Sequence, residues 1–316
     1  MTAAGLQAGP PVSICVPAYN SERWLGEALE SALAQTFVDF ELVVCDDAST
    51  DATVAVARSY SDPRIRLESN PVRLGKSRNQ NRVIDLAGGA YVKFLHADDR
   101  LAPTCLEEMV AVAREDARVG LVFAAREVEV DGGVDPGWGE QYARPHEGFT
   151  SLSRINEGRE LFAQLVRGGL EENWIGEPSA VMVSRRALAG SGGFSERIHQ
   201  IEDLDLWLRI LLRHHRVGFI DRPLCVYRRH SQSMTAVNQR RGRDWLDRVW
   251  LLDGLLAENL DPADREEIER LRRIALRRAA RSQLGRIARG RFDAQLPAYL
   301  GHRALARTGR GPRVTV

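Results

Sequence analysis

The chain is poor in cysteine. Cys15, Cys45, Cys105 and Cys225 are the only four in 316 residues, and no two form a CxxC pair. That spacing gives neither a zinc knuckle nor a disulfide framework. Cys15 and Cys45 lie inside apolar runs, where a thiol acts as a small buried hydrophobe, and reduced thiols fit a cytoplasmic protein. No apolar run reaches the roughly 18 residues that span a bilayer. Met1–Pro11 has neither a basic start nor a long apolar core, so it does not read as a secretory signal. No GxGxxG follows the first strand-like run, which disfavours dinucleotide binding. Gly75-Lys76-Ser77 looks like the end of a phosphate loop, but Asn70 stands where that loop needs its first glycine, and a P-loop NTPase is excluded. After Trp250 the only aromatics are Phe292 and Tyr299, too few to interleave with arginine for nucleic-acid binding.

What is present is unevenly charged. From Arg270 onward there are 13 arginines against one acid, Asp293, within a chain whose formal net charge is only +1. An acidic body therefore carries a basic tail. Hydrophobic residues make up 44% and charged residues 28%, which suits a globular protein with one large domain and an appendage.

The first 125 residues alternate short apolar runs with helical patterns. Strands are expected at Val12–Val16, Phe40–Cys45, Ile65–Leu67, Tyr91–Leu95 and Val119–Ala124. Helices are expected between them, the first with Trp24, Leu25, Ala28, Leu29, Ala32 and Leu33 on one face. Repeated strand–helix–strand units imply an α/β fold with a mostly parallel central sheet flanked by helices. Asp131–Asn156 has no periodicity and reads as an irregular excursion. Asp244–Leu260 and Pro262–Ala288 read as helices. The organisation expected is a disordered tail at 1–11, a catalytic domain at 12–235 divided near 125/126, and a helical basic extension at 236–316.

Three strands run into polar residues: Pro17-Ala18-Tyr19-Asn20, Asp46-Asp47-Ala48-Ser49-Thr50-Asp51 and His96-Ala97-Asp98-Asp99. A single Asp there is usually a helix cap. Two adjacent carboxylate pairs at neighbouring strand ends carry a Coulomb cost that a divalent cation would remove, and ligands in such sheets bind beyond the strand ends.

These segments, together with Gln35-Thr36-Phe37, Asn70 through Gly75 to Arg78-Asn79, Gly192-Gly193-Phe194, Glu202 through Arg209 and Tyr227-Arg228-Arg229-His230, resemble the family 2 glycosyltransferases. The resemblance covers roughly Val12 to Thr235. It implies a GT-A type fold and an inverting transfer of sugar from a nucleotide diphosphate donor, with UDP or dTDP favoured. Pro17, Ala18 and Tyr19 would line the nucleotide pocket, Asp47 would bond the nucleobase, and Arg78 would approach the base or phosphates. Asp98 would face the ribose or metal, and Asp99 would ligate Mn²⁺ or Mg²⁺. His230 would complete the metal or diphosphate site. His96 replaces an aspartate found in many members. Asp203 would be the general base, with Glu202 beside it; both acids otherwise read as caps of a helix N-terminus. Arg228 and Arg229 could steady the diphosphate or be solvated surface. The acceptor would lie against Gly132–Pro178, where Trp138, Tyr142 and Trp174 either stack on a sugar or pack.

Two rival readings share this pattern: a sugar nucleotidyltransferase, which would carry a basic, glycine-rich loop after the first strand, and a non-catalytic nucleotide-sugar-binding protein. The acceptor itself is not legible: glycan, lipid-linked and natural-product acceptors all fit. The tail's Ile268, Leu271, Ala275, Ala279 and Ser282 form one helical face ringed by arginines. That face packs on its own domain or seats the protein peripherally on an anionic membrane surface.

Overall fold

The structure, a computed structural model, describes residues 10–131, 142–213, 215–233, 244–287 and 299. Nearly all of the expected N-terminal tail, Trp138 and most of the chain beyond 287 lie outside the described residues. The chain forms two compact units, residues 1–196 with 202–233, and residues 197–201 with 234–316.

The first unit is built on nine strands: β1 (Val12–Ala18), β2 (Phe40–Asp46), β3 (Ile65–Ser69), β4 (Tyr91–Phe94), β5 (Arg100–Leu101), β6 (Val119–Val130), β7 (Ile155–Glu157), β8 (Val181–Ser184) and β9 (Arg216–Arg229). They lie in the order β3-β2-β1-β4-β8-β6-β9-β5, with β7 also on β9. Val12, Ile14, Cys15 and Val16 of β1 and Leu42, Val43, Val44 and Cys45 of β2 are wholly buried. Strands covered on both faces can carry apolar side chains on both, which is why these runs do not alternate. The covering helices are α1 (Leu25–Leu33), α2 (Thr53–Arg58), α3 (Lys76–Leu86), α4 (Cys105–Glu115), α5 (Gly158–Arg167), α6 (Arg185–Ser191) and α7 (Glu202–Leu212). The α1 helix buries Leu25, Ala28, Leu29 and Ala32, the face its spacing predicts.

β1, β2, β3 and β4 pair in parallel, as expected. Beyond β4 the sheet is mixed, a departure from an otherwise parallel order. β8 inserts between β4 and β6 and runs antiparallel to both. The reason is the way the chain enters it. A 3₁₀ turn at Pro178–Ala180 delivers the chain beside the carboxyl end of β4, and the strand runs back from there. β6 and β9 pair in parallel through register shifts around Ala125, which faces Pro223. β5 adds antiparallel to β9, matching Arg100 with Val226. These pairings bring the ends of β1, β2, β4 and β9 and the start of β8 to one edge.

The second unit contains α8 (Asp244–Leu256) and α9 (Pro262–Ile287). Val249, Leu251, Leu255 and Ile268 form its interior. Tyr299 is buried edge-on to Trp250 with centroids 4.9 Å apart, and its hydroxyl donates to Asp253 at 2.8 Å. No helix among the described residues is long and apolar enough to cross a membrane.

Candidate active site

The loops after β1 and β2 hold each other. The Asp47 N–H donates to the Ala18 carbonyl at 2.8 Å, the Asn20 N–H to Ser49 Oγ at 2.9 Å, and the Thr50 N–H to Asn20 Oδ1 at 2.9 Å. Pro17 and Tyr19 are half-buried on this rim, and Ala18 is buried below them. The Arg73 guanidinium stacks over the Tyr19 ring, 3.8 Å from its centroid. Arg78, on the first turns of α3, is exposed and paired with Glu196 at 2.8 Å.

Asp47 is placed differently from its expected role. Its carboxylate is buried and accepts the backbone N–H groups of Leu74 at 2.7 Å and Gly75 at 2.8 Å, and the Asn70 amide at 2.9 Å. Gly75 has φ +92°, a conformation that glycine takes without Cβ strain. Asp47 therefore holds the turn that opens α3, and its oxygens are taken up by that turn rather than turned to a base edge.

The acids after β4 divide their roles. Asp99 is fully buried. Its Oδ2 accepts from Ser179 Oγ at 2.5 Å, and its Oδ1 accepts the Arg228 N–H at 2.9 Å. Burial and the neighbouring Asp98 charge push its carboxyl well above the usual range. Asp98 is partly open, and its Oδ2 lies 3.0 Å from His230 Nε2. Burial raises the Asp98 carboxyl, but the His230 contact, the neighbouring His96 and a backbone hydrogen bond together leave it below its ordinary value. The His230 ring packs on Trp24 with centroids 4.0 Å apart. His96 is held down at about 4 by burial and by the Lys76 charge, so it is a neutral imidazole at physiological pH. His96, Asp98 and Asp99 each offer a ligand atom within 4.8 Å of the others. Two carboxylates with one neutral imidazole form a donor set suited to a divalent cation. Both Asp99 oxygens already accept bonds from the protein, so Asp98 is the more open of the two carboxylates, while His230 is buried against it.

Asp203 opens α7 beside Glu202. Its Oδ1 accepts the Leu204 N–H at 2.7 Å, and its Oδ2 accepts the Asn173 amide at 3.2 Å. Asn173 also donates to the Gly176 carbonyl at 2.8 Å, which accepts the Trp207 indole N–H at 3.0 Å as well. Gly176 has φ +105° and lies against Arg126. Burial and the Glu202 charge raise the Asp203 carboxyl to about 7. A carboxylate of that strength can take and release a proton near neutral pH. Glu202 is wholly buried, with Lys76 Nζ 2.5 Å from its Oε1. Asp205 is buried and tied to Arg209 at 2.6 Å.

Two readings that the sequence leaves open are narrowed. The Arg228 guanidinium binds Glu27 at 2.6 Å and Glu129 at 2.9 Å, so the residue reaches the site through its backbone N–H and not as a diphosphate clamp. The Trp174 ring is a packing residue. A Cβ on Gly148 or Gly168 would come within 2.3 Å or 2.2 Å of it, and it meets Phe149 edge-on at 5.3 Å. Tyr142 lies beside the Arg229 guanidinium at 5.0 Å. Four site residues were not anticipated in these roles: Ser179, Asn173, Lys76 and Glu177. Glu177 is paired with the buried Arg126 at 2.7 Å, and burial raises its carboxyl despite that cation.

Known proteins are similar to this chain in sequence and in fold. The sequence profile of glycosyl transferase family 2 matches residues 13–165. An uncharacterized protein of Mycobacterium tuberculosis (strain CDC 1551 / Oshkosh) is 40% identical over 255 residues, 81% of this chain and 78% of that one. Chondroitin synthase of Pasteurella multocida (strain Pm70) is 30% identical over 204 residues, 64% of this chain but only 19% of that larger protein. Among solved structures, S. aureus TarS 1-349 in complex with UDP-GlcNAc superposes with a TM-score of 0.65 at 20% identity, covering 81% of this chain and 70% of that one. The mannosyltransferase PcManGT from Pyrobaculum calidifontis, in complex with GDP-Man and Mn²⁺, gives a TM-score of 0.58 at 20% identity, covering 96% and 84%. At that identity the two structures establish the shared GT-A fold.

Proposed function

Since the chain belongs to glycosyl transferase family 2 and is a glycosyltransferase, we propose that it transfers a sugar with inversion from a nucleotide diphosphate donor to an acceptor hydroxyl, with Asp203 as the general base. The observation that carries this reading is the Asp203 carboxyl: fixed by Leu204 and Asn173 at the start of α7, and raised to about 7. Asp203 takes the proton of the acceptor hydroxyl as its oxygen bonds to the anomeric carbon. The bond from that carbon to the diphosphate breaks on the opposite side, and nucleoside diphosphate leaves. The rim of Pro17, Ala18 and Tyr19, with Arg73 stacked on Tyr19, receives the nucleotide. UDP is the favoured carrier, supported by the UDP-GlcNAc complex of the structural relative.

Mn²⁺ or Mg²⁺ would be held by Asp98, Asp99 and His96, with His230 adjoining through Asp98. Bound there, the ion would offset charge gathering on the departing diphosphate. Ser179 and the Arg228 N–H keep Asp99 fixed under this position, and Trp24 fixes the His230 ring.

The acceptor's setting is suggested by α9. Arg270, Arg273, Arg277 and Arg281 recur along one exposed face, opposite the buried Ile268, Ala275 and Ala279, and Leu284 on the same face is 67% exposed. A basic face ending in an apolar side chain suits peripheral contact with an anionic membrane and hence a lipid-linked acceptor.

The test is release of nucleoside diphosphate from a donor panel by the full chain, with and without chelator. Asp203→Asn is expected to abolish release while donor affinity stays within about twofold; turnover retained in that variant would remove Asp203 as base. Arg273, Arg277 and Arg281 changed together to Glu should release the chain from phosphatidylglycerol vesicles in co-sedimentation. Equal sedimentation of the two proteins would refute the membrane seat.

A further inference from the structure

Lys76 has no part in the reaction as described, yet it occupies the middle of the site. It is the first residue of α3, and its ammonium lies 2.5 Å from Glu202 Oε1 at the first residue of α7. Glu202 is wholly inaccessible, and among the described residues its Oε2 is buried with no hydrogen-bond donor. A buried carboxylate with one cation depends on that cation, since removing it leaves an uncompensated charge in a poor solvent for ions. The next residue along the helix is Asp203.

We propose that Lys76, acting through the buried Glu202, is the positioning residue that keeps the Asp203 carboxylate charged and aimed as the proton acceptor. The inference rests on the reading of Asp203 as base. The charges facing Asp203 are Glu202 on its own helix, Lys76 from α3 and Glu177 from the segment before β8, and Asn173 adds an amide hydrogen bond. Lys76 is the cation in that set, facing the acids Glu202 and Glu177 as well as Asp203 itself. Its own state agrees with the geometry: burial would lower the ammonium, but Glu202 and then Asp203 outweigh burial and hold it above the ordinary lysine value.

Charge balance makes a prediction of opposite signs. Lys76→Met removes this cation and should make the carboxyl hold its proton more tightly. Glu202→Gln removes an anion and should make it hold the proton less tightly. Lys76→Arg should restore the wild-type value. The readout is the titration of the Asp203 carboxyl carbon in the full-length protein labelled with ¹³Cγ-aspartate, assigned by the signal lost in Asp203→Asn. From a wild-type midpoint of about 7, Lys76→Met should rise and Glu202→Gln should fall, each by roughly one pH unit, a tenfold change in proton affinity. The acid limb of nucleoside diphosphate release should move with it. Midpoints unchanged in both variants, or displaced in the same direction as by general loosening of the site, would overturn the proposal. If Lys76→Met does not fold, Glu202→Gln decides alone by its direction. The NMR readout needs no turnover. Asp203→Asn that remains active would remove the base assignment, whereas a wild-type titration in Lys76→Met would remove only the role of Lys76.

Discussion

Asp203→Asn should do more than stop the reaction: it should stabilise the protein, and only above a certain pH. The folded chain raises the Asp203 carboxyl from 3.8 to about 7. At 1.36 kcal/mol per pH unit, keeping it ionised above pH 7 costs the folded state on the order of 4 kcal/mol. That figure is an upper bound, because the side chain is only partly buried. The sign follows from proton binding. Between pH 4 and 7 the folded protein holds a proton that the unfolded chain has released, so stability falls as pH rises through this window and is level above it. Asparagine carries no charge and escapes the loss. It gives something back, because the Leu204 N–H and the Asn173 amide both donate to the Asp203 oxygens and an amide can accept only one of them. An unmet bond of this kind costs about 1 kcal/mol. The variant should therefore be about 2–3 kcal/mol more stable than wild type at pH 8 and close to it at pH 5. For a domain of this size that is a melting-temperature gap of about 5–10 °C, opening as pH rises. Thermal melts of both proteins from pH 5 to 8.5 read it directly. A gap that stays constant across the range would show that Asp203 ionises as an ordinary carboxylate, and the reasoning would fail.

His230→Ala should weaken Mn²⁺ binding by roughly 10- to 100-fold, the range found when ligand or supporting groups are lost from metal sites. Isothermal titration with Mn²⁺ checks this, and an unchanged affinity would take His230 out of the site. Gly168→Ala would drive a methyl to 2.2 Å from the Trp174 ring. Overpacking of that kind costs about 1–3 kcal/mol, read as a lower melting temperature and altered tryptophan near-UV dichroism. A normal melt with a raised acceptor KM would mean instead that the ring is free to meet substrate.

Much of the first half of the fold is legible along the chain. The strand-ending runs at Val12–Val16, Phe40–Cys45 and Tyr91–Phe94 carry their own signal, because a strand buried on both faces needs an unbroken apolar sequence. Asp98 and Asp203 are likewise placed by local motifs. The parts that escape reading depend on partners far off in sequence. Asp99 looks like the open ligand until Ser179, 80 residues later, and Arg228, 129 residues later, close on it. Arg228 reads as a phosphate clamp because nothing nearby announces Glu27 and Glu129. Whether Trp174 stacks on a sugar or packs is undecided along the chain because the glycines that grip it, Gly148 and Gly168, come beside it only on folding. The antiparallel entry of β8 is hidden for the same reason: strand pairing is decided across the sheet and not along the chain. Lys76 was visible only as part of a failed phosphate loop, and its place became clear once α3 and α7 met.

The long strand β9 acts as a ruler for the site. Its first half is keyed to β6 and β7, its middle passes the irregularity where Ala125 faces Pro223, and beyond it come the Arg228 N–H that fixes Asp99 and His230 that meets Asp98. Side chains along a strand alternate between faces, so removing one residue near Pro223 would turn everything downstream over. Arg228 would exchange its face with Arg229, and His230 would point away from Asp98. The opposite end of β9 would remain paired, and the sheet would survive. Single-residue insertions and deletions in this strand should therefore be tolerated by the fold and lethal to the chemistry, which makes the length of the 223–230 segment a tighter constraint on activity than the identity of most residues within it.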